Sequence, residues 1–236
     1  EDAWSFHHNP GALAHVRTIS AGLSYENRYL LKELQSQAFV FVQPLKAGVI
    51  SIGAQMYGYK YYKTTRAGIG YSLKLGERLA AGLQMNYQGL RIESYGSKGT
   101  VTAEAGILAN INEKASLGFG IFNLGRAKLS EYQDDRFSTF MRLGLTYKIS
   151  RKVLVLLETE KEVQSKLRVK AGLEYELADR FFIRAGGASN PIEITFGFGY
   201  QFKNGIKLDM GSAWQQYLGW SPHFGLTYEF KARSQE

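Results

Sequence analysis

The sequence predicts an all-β fold, a closed antiparallel transmembrane β-barrel of about fourteen strands. Three observations lead there. Segments along the whole chain alternate large apolar residues with small or polar ones, the two-residue period of a strand with unlike faces. The connections between those segments alternate in length. Finally, the 236 residues hold no run of about 18 apolar positions. Crossing a membrane by helices is thereby excluded, but crossing by strands is not, because alternation averages away in a hydropathy window.

In chain order, residues 2–14 (DAWSFHHNPGALA) do not alternate and precede the first strand. Strands are then expected at about 17–26, 36–44, 48–58, 69–75, 79–88, 101–111, 115–123, 141–149, 152–160, 167–177, 180–188, 192–202, 206–214 and 224–230. The pattern is clearest in IEITFGFGYQF. Ile192, Ile194, Phe196, Phe198, Tyr200 and Phe202 share one face, opposite Glu193, Thr195, Gly197, Gly199 and Gln201. These lengths approach the 9–11 residues or so that span a bilayer when tilted.

One set of connections is short: QPLKAG, SLKLGER, ANINEK, KISRK, ELADR and QFKNG. The other is generally longer and richer in polar and aromatic residues, as in ENRYLLKELQSQ, GYKYYKTTR, NLGRAKLSEYQDDR and WQQYLGWSP. Short turns on one rim and long loops on the other are the asymmetry of an outer-membrane barrel, whose short turns face the periplasm. An even strand count puts both termini on that side.

The width of the barrel decides which face is which. A single layer of side chains cannot fill a ring of about fourteen strands, so an apolar lining would surround a void. Apolar residues therefore go to lipid, and Gly, Thr and charges go inward. A charge facing lipid at mid-bilayer would cost ~2–4 kcal/mol. The recurring Gly-x-x-Tyr pattern places Tyr71, Tyr147, Tyr175, Tyr200 and Tyr228 outward near strand ends before short turns or the C-terminus. With Phe230 they are expected to form an interfacial aromatic girdle. Glu158 and Glu160 share one parity, as do Lys166, Arg168 and Lys170 across the next loop. An antiparallel pairing makes these a ladder of opposite charges, which either braces the wall or lines a pathway through the lumen.

The remaining chemistry is sparse. The chain has no Cys, so it forms no disulfide and no thiolate metal site. His7-His8 is too small a set for a metal centre. No nucleotide-binding, hydrolase or zinc-protease motif occurs, and Pro222 between Ser221 and His223 argues against a catalytic pair there. The expectation is a protein that is not an enzyme and carries no cofactor. The formal charge of +8 is dispersed along the chain, without the clustered footprint of a nucleic-acid binder.

In residues 2–14, Asp2, Ala3, Asn9, Pro10, Leu13 and Ala14 match the start of FadL-like outer-membrane barrels, which the chain resembles, especially their PorV/PorQ-type relatives of Bacteroidota. Gly11 stands where that motif usually has Ala. The resemblance implies fourteen strands and an N-terminal segment folded into the lumen as a plug, here built on Asn9, Pro10, Gly11 and Leu13. A periplasmic leader is the alternative reading. It divides the chain into a hatch-like segment (1–14), a barrel (15–231) and a periplasmic tail (232–236). Phe230, with Tyr228 and Leu226, resembles the signal that the barrel-assembly machinery recognises. The implied setting is the bacterial outer membrane, in contact with bilayer and lipopolysaccharide. The chain is shorter than fatty-acid transporters of that family, with less loop mass for a pocket. The expected role is therefore a PorV-like accessory subunit of a larger outer-membrane complex such as the type IX secretion translocon. Rim aromatics Tyr59, Tyr62, Tyr217 and Trp220 would then be partner contacts. A FadL-like passive transporter of small hydrophobic molecules, or a simple diffusion pore, is the alternative.

Overall fold

Fourteen antiparallel strands hydrogen-bond in sequence order, and the first closes on the last. The computed structural model describes residues 2–127, 136–163 and 165–230. The strands are β1 (Ser20–Asn27), β2 (Gln35–Leu45), β3 (Gly48–Gly58), β4 (Tyr62–Lys74), β5 (Leu79–Ile92), β6 (Gly96–Asn110) and β7 (Ala115–Phe122). They continue as β8 (Phe140–Lys148), β9 (Val153–Glu162), β10 (Arg168–Ala178), β11 (Phe181–Ala188), β12 (Glu193–Gln201), β13 (Ile206–Gln215) and β14 (Gly219–Glu229). Closure gives every strand a hydrogen-bonded neighbour on both sides, the condition for a sheet in hydrocarbon.

Burial is inverted relative to a water-soluble protein. Leu83, Met85, Ile69, Val101, Phe196 and Phe198 are exposed on the outer face, while Ser72, Gln84, Asn86, Thr102, Glu104 and Thr227 are buried on the inner one. Polar inside and apolar outside is the arrangement of a wall between lipid and a polar lumen.

Three strands exceed the sequence expectation. β4, β5 and β6 run to 13, 14 and 15 residues, so most of GYKYYKTTR and RIESYGSKG is ladder rather than loop. Their pairing carries on to Tyr62↔Ile92 and Ile92↔Gly96. Positive φ at Ser94 and Gly96 then makes the turn. β14 likewise starts at Gly219, so Tyr62 and Trp220 belong to strands rather than loops. Alternation weakens in these stretches because their outer ends stand beyond the lipid-facing band and need no apolar side chain.

Tyr71, Tyr147, Tyr200, Tyr228 and Phe230 are exposed on the outside close to the short-turn rim, and Tyr175 there is half-buried. Tyr71 donates its hydroxyl to the Ala47 carbonyl at 2.9 Å. Tyr200 packs edge-on against Phe202, and Tyr228 against Phe230. The expected 232–236 tail lies outside the described residues.

The orientation of the faces is testable. Leu83→Arg, which puts a cation on the lipid side of β5, is expected to destabilise the folded barrel by ~2–4 kcal/mol in urea titrations in lipid. Thr146→Arg on the inner face should cost much less.

Candidate functional site

Residues 2–16 pack against the inner wall. Two short 3-10 turns shape them, Ala3–His7 and Pro10–His15. Asp2 caps the first by accepting from the Trp4 backbone N–H at 3.0 Å. Asn9 caps the second by accepting from the Gly11 N–H at 2.9 Å, with Pro10 at the first helical position.

The wall beneath this segment is lined with glycine because nothing larger fits. A Cβ on Gly82 would lie 2.4 Å from the Pro10 carbonyl oxygen, and one on Gly53 would lie 2.4 Å from the Phe6 ring. A Cβ on Gly106 would likewise strike the Asn9 side chain, and one on Gly22 would lie 2.8 Å from the Trp4 ring. Phe6, Leu13 and Ala3 pack with Val40, Val42 and Val49 in a small apolar cluster. Directed bonds fix the register. Ser72 donates to the Pro10 carbonyl at 2.6 Å, Asn9 Nδ2 to the Ile107 carbonyl at 3.0 Å, and Trp4 Nε1 to Thr227 Oγ1 at 2.9 Å. Gln84, with its amide oriented to suit the surrounding donors and acceptors, donates to the Phe6 carbonyl at 3.1 Å and accepts from Arg66 Nη2 at 3.1 Å. Arg66 in turn holds both carboxylate oxygens of Glu104, at 2.7 and 2.6 Å. All four residues singled out in the sequence, Asn9, Pro10, Gly11 and Leu13, lie in this contact.

The segment covers only part of the lumen. Over β8–β14 the inner face carries charges that pair with one another. Arg142 bonds Glu160 at 2.6 Å and lies 3.8 Å from Glu158. Lys170 bonds Glu158 at 2.7 Å and Glu160 at 3.1 Å. Arg184 joins Glu174 and Asp209, both at 2.6 Å. Arg168 pairs with Glu193. Of the residues read from the sequence as a ladder, Lys170 lies opposite Glu158 in the backbone register. Arg168 lies opposite Glu160 in the backbone register, yet its side chain turns away to β12. Lys166 is exposed in the loop before β10. Sequence reasoning missed Arg142 as a member. It shares parity with Gly144 on β8, but its pairing across to β9 needs the register.

Two of the cavities among the described residues lie along the inner wall from β6 to β14. One, of about 640 Å3, reaches the long-loop rim and is lined by Gly172, Gly186, Gly211, Leu156, Ala213 and His223 among others. The second, of about 900 Å3, lies between Ser5, His8, Asn9 and Ala12 and the wall of β6–β9, and extends to Arg78, Asn112 and Lys148 at the short-turn rim. They share Leu154 and Leu156.

His223, Ser221 and Glu26 come together on the inner face of β14 and β1, with Glu26 directly opposite His223. They form no catalytic relay. Ser221 Oγ accepts from the Tyr29 N–H at 3.0 Å, Glu26 pairs with Arg28 at 3.1 Å, and no hydrogen bond joins His223 to either among the described residues. No group of three metal-ligating side chains occurs among the described residues either. At the long-loop rim Tyr59 packs edge-on with Tyr61 at 5.5 Å. Tyr59, Tyr62, Tyr217 and Trp220 are all exposed there, the first two on the β3–β4 hairpin and the last two on the β13–β14 hairpin.

Fourteen strands, an inverted wall and a partly filled lumen define a closed barrel of the outer-membrane kind. The solved structures that match in fold agree. The Ralstonia pickettii toluene transporter TbuX matches with a TM-score of 0.72 at 10% identity, over 97% of this chain and 94% of that one. The CymD monoaromatic hydrocarbon channel gives 0.71 at 11% identity, over 98% and 94%. A Pseudomonas aeruginosa FadL homologue gives 0.64 at 11% identity, over 97% and 94%. At such identities the shared property is the fold. No family model and no curated protein matches the sequence. The neighbours lend weight to the FadL side of the sequence resemblance and none to its secretion-associated branch.

Two outcomes are expected. Gly82→Ala should free the N-terminal segment to proteases while leaving the barrel folded, whereas Gly172→Ala, whose Cβ would have no neighbour nearer than 3.8 Å, should leave both the segment and the barrel unchanged. Burial, with Arg66 adding, lowers the His7 pKa to about 3. His8 is exposed to the second cavity, and its position inside the barrel, with Arg142 opposite, lowers it to about 4. Both are neutral when docked and near their ordinary value of about 6.5 when released. Docking is therefore fully favourable above that value and weakens as the pH falls through it toward the docked values. Trp4 fluorescence in a Trp214→Phe/Trp220→Phe background should report this on acidification, and His7→Gln/His8→Gln should flatten it.

Proposed function

We propose that this chain is a passive outer-membrane transporter of small hydrophobic or uncharged molecules. Residues 2–16 act as a hatch that narrows the lumen without filling it. The observation that carries the reading is the cavity of about 640 Å3 at the long-loop rim. Its Arg, Lys, Asp and Glu side chains are all paired, and between them lie Gly172, Gly186, Gly211, Ala213, Leu154 and Leu156, with small polar groups such as Thr195 and Ser212. Such a surface suits a small passenger that brings no charge to be solvated. The fold neighbours named as toluene transporters and hydrocarbon channels favour the same class. The long loops would face outward beside lipopolysaccharide and the short turns the periplasm, with both termini on the periplasmic side. Insertion by the barrel-assembly machinery fits the aromatic end of the last strand.

Docking to a larger complex through Tyr59, Tyr62, Tyr217 and Trp220 draws only on their exposure, and transport is the better supported reading. The test is uptake of labelled toluene by outer-membrane-bearing cells that lack their own hydrocarbon transporter. Expression of this chain should raise uptake severalfold, and Ala213→Trp, which fills the cavity, should abolish the gain. Uptake equal to that of the empty host would refute the reading.

A further inference from the structure

We infer that Arg142, Glu158, Glu160 and Lys170 form a charge-neutral collar on a path running the length of the lumen beside the hatch, and that this collar makes the path reject ions. The inference rests on the transport reading above and deepens it.

The location comes from the cavities. Lys170 lines the cavity at the long-loop rim, and Glu158 lines the one that reaches the short-turn rim. Their ion pair of 2.7 Å therefore stands where the two meet, beside the Leu154 and Leu156 that both share. The hatch borders only the second cavity, through Ser5, His8, Asn9 and Ala12. Passage from one cavity to the other thus goes by the collar and does not require the hatch to leave.

The ladder supports this placement. One row of paired residues runs Ser72↔Gly82, Gly82↔Gly106, Gly106↔Gly120, Gly120↔Arg142 and Arg142↔Glu160 across β4 to β9. Its glycines are where the hatch rests, since Cβ atoms at Gly82 and Gly106 would strike Pro10, Gly11 or Asn9. Beyond Gly120 the same row turns to charge. Hatch and collar are thus successive parts of one row along the wall from β4 to β9, and His8, Arg142 and Glu158 line the same cavity.

The selectivity follows from the charge count. Two cations and two carboxylates cancel, and each is already bonded within the set. Arg142 is further held over the Phe122 and Phe140 rings, at 4.9 and 4.8 Å. Rings of one sign draw in the opposite ion and take over part of its hydration. A balanced, self-satisfied set does neither, so an ion entering the narrow site loses water without recompense while an uncharged molecule loses little.

The full chain in planar bilayers, under a KCl gradient, tests this. Wild type should pass little current. Lys170→Gln, which leaves excess carboxylate, should open a cation-preferring conductance, and Glu158→Gln/Glu160→Gln an anion-preferring one, each shifting the permeability ratio at least about threefold. The swap Lys170→Glu/Glu158→Lys restores neutrality and should restore low conductance. Should a variant insert poorly, Lys170→Cys offers a second route, because the chain has no other cysteine. A cationic thiol reagent should close its conductance, and an anionic one should sharpen its cation preference. Silent variants, or both variants showing one ion preference, would overturn the collar. Toluene uptake measured in parallel separates the two ideas. Opposed ion preferences without uptake would leave the collar standing and sink the transport reading, whereas uptake with silent variants would do the reverse.

Discussion

The structure depends on one constraint: in hydrocarbon, every backbone N–H and C=O must find its partner within the protein. Pairing of β1 with β14 meets it by closing the sheet. Closure then makes the two faces of each strand permanent. One face must be compatible with lipid, so Leu83, Phe196 and Phe198 stand outward. The other is free to be small or charged, and the rest of the molecule is built on that freedom.

The inner face is used in two ways. Over β1–β7 the wall keeps glycine where Trp4, Phe6, Asn9 and Pro10 press against it, and a backbone-to-backbone approach replaces side-chain packing. The segment is then latched by bonds that have no competitor in a narrow space, such as Ser72 to the Pro10 carbonyl. Over β8–β12 the segment makes no such backbone approach, and long charged side chains reach across the wall and satisfy each other. Buried pairs of this kind add little net stability, because desolvation offsets attraction. Their consequence is geometric: they brace the inner wall with charges that are already paired. The Arg66–Glu104 pair under the hatch differs in having its carboxylate almost wholly enclosed, and it braces Gln84 against the Phe6 carbonyl.

Much of the fold was legible because the two-residue period survives along most of the chain. The outward parity of Tyr71, Tyr147 and Tyr228, the strand count and the alternation of turn and loop are all local patterns. The outer halves of β4–β6 were not legible, since residues such as Lys63, Arg91 and Lys98 stand clear of the lipid band and no longer alternate. At the site, the pairing of Glu158 with Lys170 follows from adjacency across one hairpin. The recruitment of Arg142, the turn of Arg168 toward Glu193 and the meeting of Glu26 with His223 at the barrel seam depend on shear and closure, which no local pattern encodes.

By itself the sequence determined a closed antiparallel barrel with its apolar side outward, because alternation, strand length and charge parity are properties of neighbouring residues. Only the tertiary structure decided which glycines receive residues 2–16, which charges meet around the lumen, and where cavities remain. Those depend on distances between strands far apart in the chain, and the register and stagger of the closed sheet set such distances.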